Sequence, residues 1–296
     1  MSPRLPDFIC IGAMRCGTTS LWALLENQPG VFLPARKELH YFDGFLDGWA
    51  SGLPWYHAHF ADCPPGHICG ESTPAYLYIE EACARMRDVV PAAKLIAILR
   101  DPVERAWSHY WYEVCAGRER LSFRAALDAE PRRLARGTIE DRIFRSYFDR
   151  GLYADQLRRF ADAFGRDALC VLTIDEVKRD PAAVLARVLR HVGAPGAPVP
   201  KEEQGRHSNK GWHPRSRLVN MAHRRALSWA RRRPGTLPAR VIEKLGRAVA
   251  GVNRLSGTPT ISDADRAWLR DRYAESDARL AAWLGGAVPW RASGST

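Results

Sequence analysis

Between Cys10 and Leu25 the chain reads CIGAMRCGTTSLWALL, an apolar run that breaks at Gly12-Ala13-Met14-Arg15-Cys16-Gly17-Thr18-Thr19 and resumes with helical spacing. Two glycines five apart between a strand and a helix suit an anion cradle. Glycine lets the backbone approach a phosphate closely, and the helix start turns its free N–H groups and positive dipole end toward it. Thr18, Thr19 and Ser20 add hydroxyl donors. A nucleotide-hydrolysing Walker A loop carries lysine directly after the second glycine. Here Thr18 takes that place and the cation comes earlier, as Arg15. The turn suits a phosphate group but not ATP with magnesium, which counts against a P-loop kinase.

A second cluster, Cys63, His67 and Cys69, invites a zinc reading. It offers three ligand types at irregular spacing with no matching second pair, so a solvated turn at Pro64-Pro65-Gly66 is preferred and no metal is expected. Short apolar runs at Phe8–Met14, Lys94–Leu99 and Ala168–Ile174 read as strands buried on both faces, with shorter candidates at Val31–Leu33 and His67–Gly70. Helical stretches at Thr18–Asn27, Glu80–Val90, Pro102–Cys115, Leu152–Phe164 and Pro181–Val192 alternate with them. Asp101-Pro102 and Asp180-Pro181 are helix starts, aspartate as cap and proline at the first position. The alternation predicts an α/β, three-layer, P-loop-like fold with a central parallel sheet flanked by helices.

With 296 residues and 46% hydrophobic content the chain can bury a full core, near the upper size for one domain. A nucleotide-binding core is expected over about 5–195, a proline- and glycine-rich loop over about 196–213, and a basic helical region over about 214–290. Within the last, helices are expected over Pro214–Arg232, Pro238–Val249 and Asp263–Leu284. The formal charge of +11 is uneven: residues 201–257 hold fourteen Lys/Arg against Glu202, Glu203 and Glu243. That field attracts phosphate, sulfate, nucleic acid or an anionic membrane, and it is also what a solvated helical face looks like. "MAHRRALSWARRRPG" suits an interfacial helix and peripheral membrane contact. No signal segment precedes the first strand and no apolar run is long enough to span a bilayer, so a cytoplasmic protein is expected. Seven scattered cysteines suit reduced thiols. Arginine and alanine richness points to a bacterial, GC-rich source.

The turn resembles that of the sulfotransferases that use 3′-phosphoadenosine 5′-phosphosulfate (PAPS), whose Gly-x-x-Lys/Arg-x-Gly-Thr grips the 5′-phosphosulfate. Lys37-Glu38-Leu39-His40-Tyr41-Phe42-Asp43 and Gly70-Glu71-Ser72-Thr73-Pro74-Ala75-Tyr76 look like segments of that family's glycan-type branch, the heparan-sulfate sulfotransferases among them. Leu99-Arg100-Asp101-Pro102 through Ser108-His109-Tyr110 is similar to the 3′-phosphate motif, and His207-Ser208-Asn209-Lys210-Gly211 to the late loop over the nucleotide. The order of motifs covers most of the chain.

The resemblance implies a single PAPS-dependent sulfotransferase domain that yields adenosine 3′,5′-bisphosphate (PAP), needs no metal, and sulfates a hydroxyl, or less often an amine. The acceptor would be a carbohydrate or a glycosylated or phenolic natural product, and nucleic acid is not an expected partner. Arg15 and the backbone N–H groups of Cys16, Gly17, Thr18 and Thr19, with Ser20, would serve the leaving phosphate. Arg100, Ser108, Lys210, Gly211 and Trp212 would hold the rest of the donor, the indole either covering adenine or packing on the core. Glu38 would be the general base and His40 its rival, with His40, Asp43, Ser72 and Tyr76 near the acceptor. Standing alone, Lys37-Glu38 is a solvated pair, Arg100-Asp101 a strand-to-helix cap and Ser108 a polar helix position. Two positions depart from the pattern: Ser72 where many members have lysine, and Trp212 where many have arginine. Both weigh against a highly anionic polysaccharide acceptor. A nucleic-acid or membrane-binding protein driven by the basic segment would leave Glu38, Arg100 and Ser108 unexplained.

Overall fold

The computed structural model describes residues 4–195, 212–233, 236–257 and 259–292. β1 (Phe8–Gly12) leads through the anion turn into α1 (Thr18–Glu26), followed by β2 (Val31–Phe32), α2 (Gly52–Ala58) and β3 (Ile68–Ser72). Next come α3 (Glu80–Val89), β4 (Lys94–Leu99), α4 (Pro102–Cys115), α5 (Phe123–Leu134) and α6 (Ile139–Phe144). α7 (Tyr153–Phe164), β5 (Leu169–Thr173), α8 (Ile174–Arg179) and α9 (Pro181–Val192) complete the sheet-bearing part. Then follow β6 (Trp212–Pro214), α10 (Arg217–Arg231), α11 (Leu237–Val252), β7 (Arg254–Ser256), α12 (Asp263–Arg272), α13 (Ala274–Leu284) and α14 (Pro289–Ala292).

The five-stranded sheet has the order β2-β3-β1-β4-β5 with every pairing parallel, in the register Ile9 to Glu71, Cys10 to Ser72, and Ile96 to both Cys10 and Cys170. Helices flank it, α1 packing with α9 and α7 packing with both α3 and α13, which gives the α/β three-layer architecture. β1 and β4 are buried throughout apart from Lys94, the reason their sequences run apolar without alternation. Because β1 has β3 on one side and β4 on the other, its carboxyl end lies at the switch in strand order, where such sheets open a crevice.

Both aspartate caps form: Asp101 accepts from the Val103 N–H at 2.9 Å and Asp180 from the Ala183 N–H at 2.9 Å. Several expected boundaries shift. β1 stops at Gly12 and the first helix at Glu26. The helix expected from Pro214 starts at Arg217, because Trp212–Pro214 pairs antiparallel with Arg254–Ser256 and Ser216 caps the helix instead. The single helix expected over Asp263–Leu284 is two, broken at Tyr273. There the ring stacks on Phe148 and the hydroxyl donates to the Phe148 carbonyl at 2.8 Å. The short α8 escaped the periodicity reading, although Thr173 and Glu176 form a reciprocal capping box that the sequence Thr-x-x-Glu announces.

Leu269, Tyr273 and Ile261 from the late region pack with Val103, Tyr110 and Trp111 of α4, and Leu280, Val288 and Trp290 join the main core. α10 and α11 pack on each other as a hairpin. Asn220 ties it to α4 by donating to the carbonyls of Val114 at 3.0 Å and Cys115 at 3.2 Å. Leu218, Leu245 and Val252 on its surface are exposed. Among the described residues, no helix is long and apolar enough to cross a membrane.

Candidate active site

The carboxyl ends of β1 and β4 open into a cavity of about 960 Å³. The turn is pinned from below: the Ala13 N–H donates to the Ile98 carbonyl at 2.8 Å, and a Cβ on Gly12 would stand 2.7 Å from that of Leu77. Gly17 takes φ 92° and starts α1 without a side-chain cap. Among the described residues, the N–H groups of Gly17, Thr18 and Thr19 have no intramolecular partner, and all three residues line the cavity with Ser20. Three free N–H groups at a helix start form an anion cradle. Cys16 does not contribute: its N–H donates to the Ala13 carbonyl at 3.2 Å and its thiol is buried against Tyr153.

Cations converge on the cradle. Arg15, with φ 68°, donates from Nε to the Ser108 hydroxyl at 3.1 Å and lies 4.8 Å from the Tyr112 ring centroid. Burial pushes its pKa below the ordinary value, and the like charge of Arg100 acts in the same direction. Arg100 donates to the Arg15 carbonyl at 3.4 Å and approaches Glu104 at 3.7 Å. The eight-residue spacing of Arg100 and Ser108 spans the end of β4 and the first two turns of α4, and both side chains reach the cavity wall. α8 closes this end with Ile174, Val177 and Lys178.

Glu38 and His40 line the same cavity, on a segment without regular structure whose backbone β3 and the residues after it hold in place. The Glu38 N–H donates to the Ser72 carbonyl at 3.1 Å, the His40 N–H to the Thr73 hydroxyl at 3.4 Å, and the Tyr41 N–H to the Tyr76 hydroxyl at 2.9 Å. Glu38 and His40 take φ 62° and 55°. A left-handed non-glycine costs about 1–3 kcal/mol and persists only where its surroundings over-determine it. Here Arg15, Glu38 and His40 are three of four such residues among those described. His40 Nδ1 lies 2.7 Å from the buried Asp43 carboxylate, Nε2 lies 3.9 Å from Glu38, and Lys37 pairs with Glu38 at 2.7 Å. The set offers a carboxylate and an imidazole for proton transfer in the same cavity as the anion cradle.

Five expected site residues do not line this cavity: Cys16, Asp43, Ser72, Tyr76 and Trp212. Asp43 acts on it through His40. Ser72 is buried on β3 beside Cys10, and Tyr76 is buried with its hydroxyl accepting from the Tyr41 and Phe42 N–H groups, so both hold the Glu38 segment from behind. Trp212 sits in β6, with the Arg254 guanidinium 5.1 Å from its ring centroid. Lys210 and Gly211 lie outside the described residues.

Sequence reasoning missed two groups. Glu71 is fully buried, accepts from the Tyr56 hydroxyl at 2.7 Å and the Thr73 hydroxyl at 3.0 Å, and burial raises its carboxyl to about 7. Tyr112, Glu113, Arg118 and Phe144 also line the cavity. Tyr112 follows Ser108 by four residues, the spacing that puts both on one helix face, so the signal was present. Among the described residues, no group of three or more His, Cys, Asp or Glu is arranged to hold a metal ion.

A family model described as a sulfotransferase domain matches residues 5–209. The chain is 37% identical over 113 residues to the membrane-associated sulfotransferase kil1 of Dictyostelium discoideum, covering 37% of this chain and 23% of that protein. It is 31% identical over 192 residues to heparan sulfate glucosamine 3-O-sulfotransferase 3B1 of Mus musculus, covering 65% of this chain and 47% of that protein. These matches span less than half the length of the two relatives. The crystal structure of a sulfotransferase from Alicyclobacillus acidocaldarius superposes with a TM-score of 0.72 at 25% identity, covering 97% of this chain and 99% of that one.

Proposed function

The chain belongs to the sulfotransferase domain family, and on that premise we propose that it moves a sulfuryl group from PAPS to a hydroxyl of a carbohydrate or of a glycosylated or phenolic compound. The observation that carries this reading is one cavity lined both by an N–H cradle with Arg15, Arg100 and Ser108 and by the Glu38–His40 pair. The donor supplies an SO₃ unit bonded to a phosphate oxygen. Glu38 takes the acceptor's proton, which leaves the acceptor oxygen free to form its bond to sulfur as the sulfur–phosphate oxygen bond breaks. Arg15 and the N–H groups of Gly17, Thr18 and Thr19 face the negative charge that develops on the departing phosphate. Arg100 and Ser108 hold the 3′-phosphate, the arginine through charge-assisted hydrogen bonds.

His40 supports a second assignment of the base. Its Nδ1 lies within hydrogen-bond reach of a buried carboxylate, an arrangement that fixes the ring and aims Nε2 at the cavity.

The donor reading is tested by titrating PAP, and separately ATP with magnesium, into the protein by calorimetry. PAP is expected to bind, Arg100→Ala to weaken it by about tenfold or more, and ATP not to compete. Equal binding of ATP, or no PAP binding, overturns the reading. A cytoplasmic setting is part of this proposal and rests on the scattered cysteines of the sequence.

A further inference from the structure

The donor and acceptor ends of the cavity differ in chemistry. Arg15, Arg100 and Lys178 stand at the cradle end. The lining around Glu38 and His40 includes Phe45, Pro74, Ala75, Ile143 and Phe144, and Tyr112 joins it to the cradle, with the Arg15 guanidinium 4.8 Å from its ring centroid. The rings form a row: His40 meets Phe45 edge-on at 5.1 Å between centroids, and Phe45 meets Phe144 at 5.4 Å. Arg118 also lines the cavity, with its guanidinium 4.3 Å from the Phe144 centroid and 5.6 Å from that of Tyr112. That charge is already matched. Arg118 donates from Nε and Nη2 to both carboxylate oxygens of Glu113, the second at 3.1 Å, and the Glu113 side chain is fully buried.

Resting on the sulfuryl-transfer reading above, we infer that this end selects an uncharged, ring-bearing alcohol over a polyanionic chain, with Phe144, Tyr112 and the Arg118–Glu113 pair setting the preference. A carboxylated or sulfated acceptor needs unpaired cations, and a guanidinium bound two-fold to a buried carboxylate has its best-aligned donors occupied. Such an acceptor would also bring negative charge beside Glu38 and Glu113, a costly arrangement once water is displaced. An aromatic or hydrophobic ring loses little water and gains edge and face contacts with Phe45, Phe144 and Tyr112. Glu113 thus acts by silencing Arg118.

The test uses the whole protein with saturating PAPS and two acceptors, 2-naphthol and heparosan, with PAP affinity measured in parallel. The inference expects kcat/KM for 2-naphthol to exceed that for heparosan by at least about tenfold. Phe144→Ala should raise KM for 2-naphthol by roughly fivefold while leaving PAP affinity within about twofold. Glu113→Gln frees Arg118 and should shift the preference toward 6-hydroxy-2-naphthoate, an anionic analogue, by about tenfold. If that buried substitution does not fold, the Phe144 variant still decides. Preference for heparosan, an unchanged KM in Phe144→Ala, or no turnover of either acceptor with PAP binding intact overturns the inference and leaves the donor reading standing. Absence of PAP binding overturns both.

Discussion

Glu38 and His40 approach within 3.9 Å on a backbone strained at both residues, so removing one function at a time separates their roles. Glu38→Gln keeps the shape and the Lys37 contact but cannot accept a proton as a carboxylate does. It is expected to lower kcat by about 10²-fold or more, the usual worth of a positioned base, with PAP affinity unchanged. His40→Asn keeps a polar group beside Asp43 and is expected to cost less, through misplacement of Glu38. Steady-state kinetics on the two variants decides it: if His40→Asn costs more and Glu38→Gln little, the base is His40. Arg15 is tuned differently. Its Nε is committed to Ser108 and its face to Tyr112, so a lysine there would carry the charge without either contact.

At the scale of elements, β3 and the Thr73–Tyr76 stretch after it place the Glu38 segment, and the stability of that support should depend on pH. Buried Glu71 holds its proton up to about pH 7 in the folded chain, whereas its ordinary carboxyl value is 4.5. Stabilisation linked to it is therefore full below about pH 4.5 and is lost as pH rises through about 7, a change approaching roughly 3 kcal/mol. Glu130, raised by burial to about 7 as well, adds to the same slope. Glu71→Gln preserves the contacts with Tyr56 and Thr73 in neutral form. Urea midpoints at pH 5 and pH 8 should then differ about half as much as in the parent protein, and an undiminished difference would remove Glu71 from the account. These supports show how far the sequence was legible. β4, α4 and α9 were readable to the residue because apolar runs and Asp-Pro caps are local signals. The strand, turn and helix start around Gly12 and Gly17 were readable because their signals lie in consecutive residues, whereas the Cys16 N–H, expected in the cradle, turns back to the Ala13 carbonyl. Ser72 and Tyr76 were misplaced because whether a side chain faces a cavity or a neighbouring segment depends on contacts between distant parts of the chain. Glu113 and Arg118 were missed because neither belongs to a contiguous motif, and only the folding of α4 against the following turn pairs them.

For the whole molecule, the family match ends at residue 209, yet the core does not. Ile261, Leu269, Tyr273, Leu280, Val288 and Trp290 are all buried, and Arg270 bonds the Asp101 carboxylate that caps α4 at 2.6 Å. Arg266 pairs with Glu104 one turn further along, and the Trp107 indole donates to the Pro259 carbonyl. The late helices thus brace the helix that follows Arg100 and carries Ser108. Burying each large apolar side chain is worth about 1.5–3 kcal/mol, so six of them together match the roughly 5–15 kcal/mol net stability of a whole domain. We therefore propose that the chain is one folding unit, in which the matched region cannot stand alone. A chain cut after residue 209 is expected to show no cooperative thermal transition and no PAP binding by calorimetry. Among the described residues, the basic α10–α11 hairpin leaves Leu218, Leu245 and Val252 in solvent, and its buried side chains are those of Asn220 and Ala230. Removing residues 217–252 with a short linker should accordingly preserve both the transition and PAP binding. A shortened 1–209 chain that melts cooperatively and binds PAP within about threefold of the full protein would place the folding boundary at the end of the family match instead.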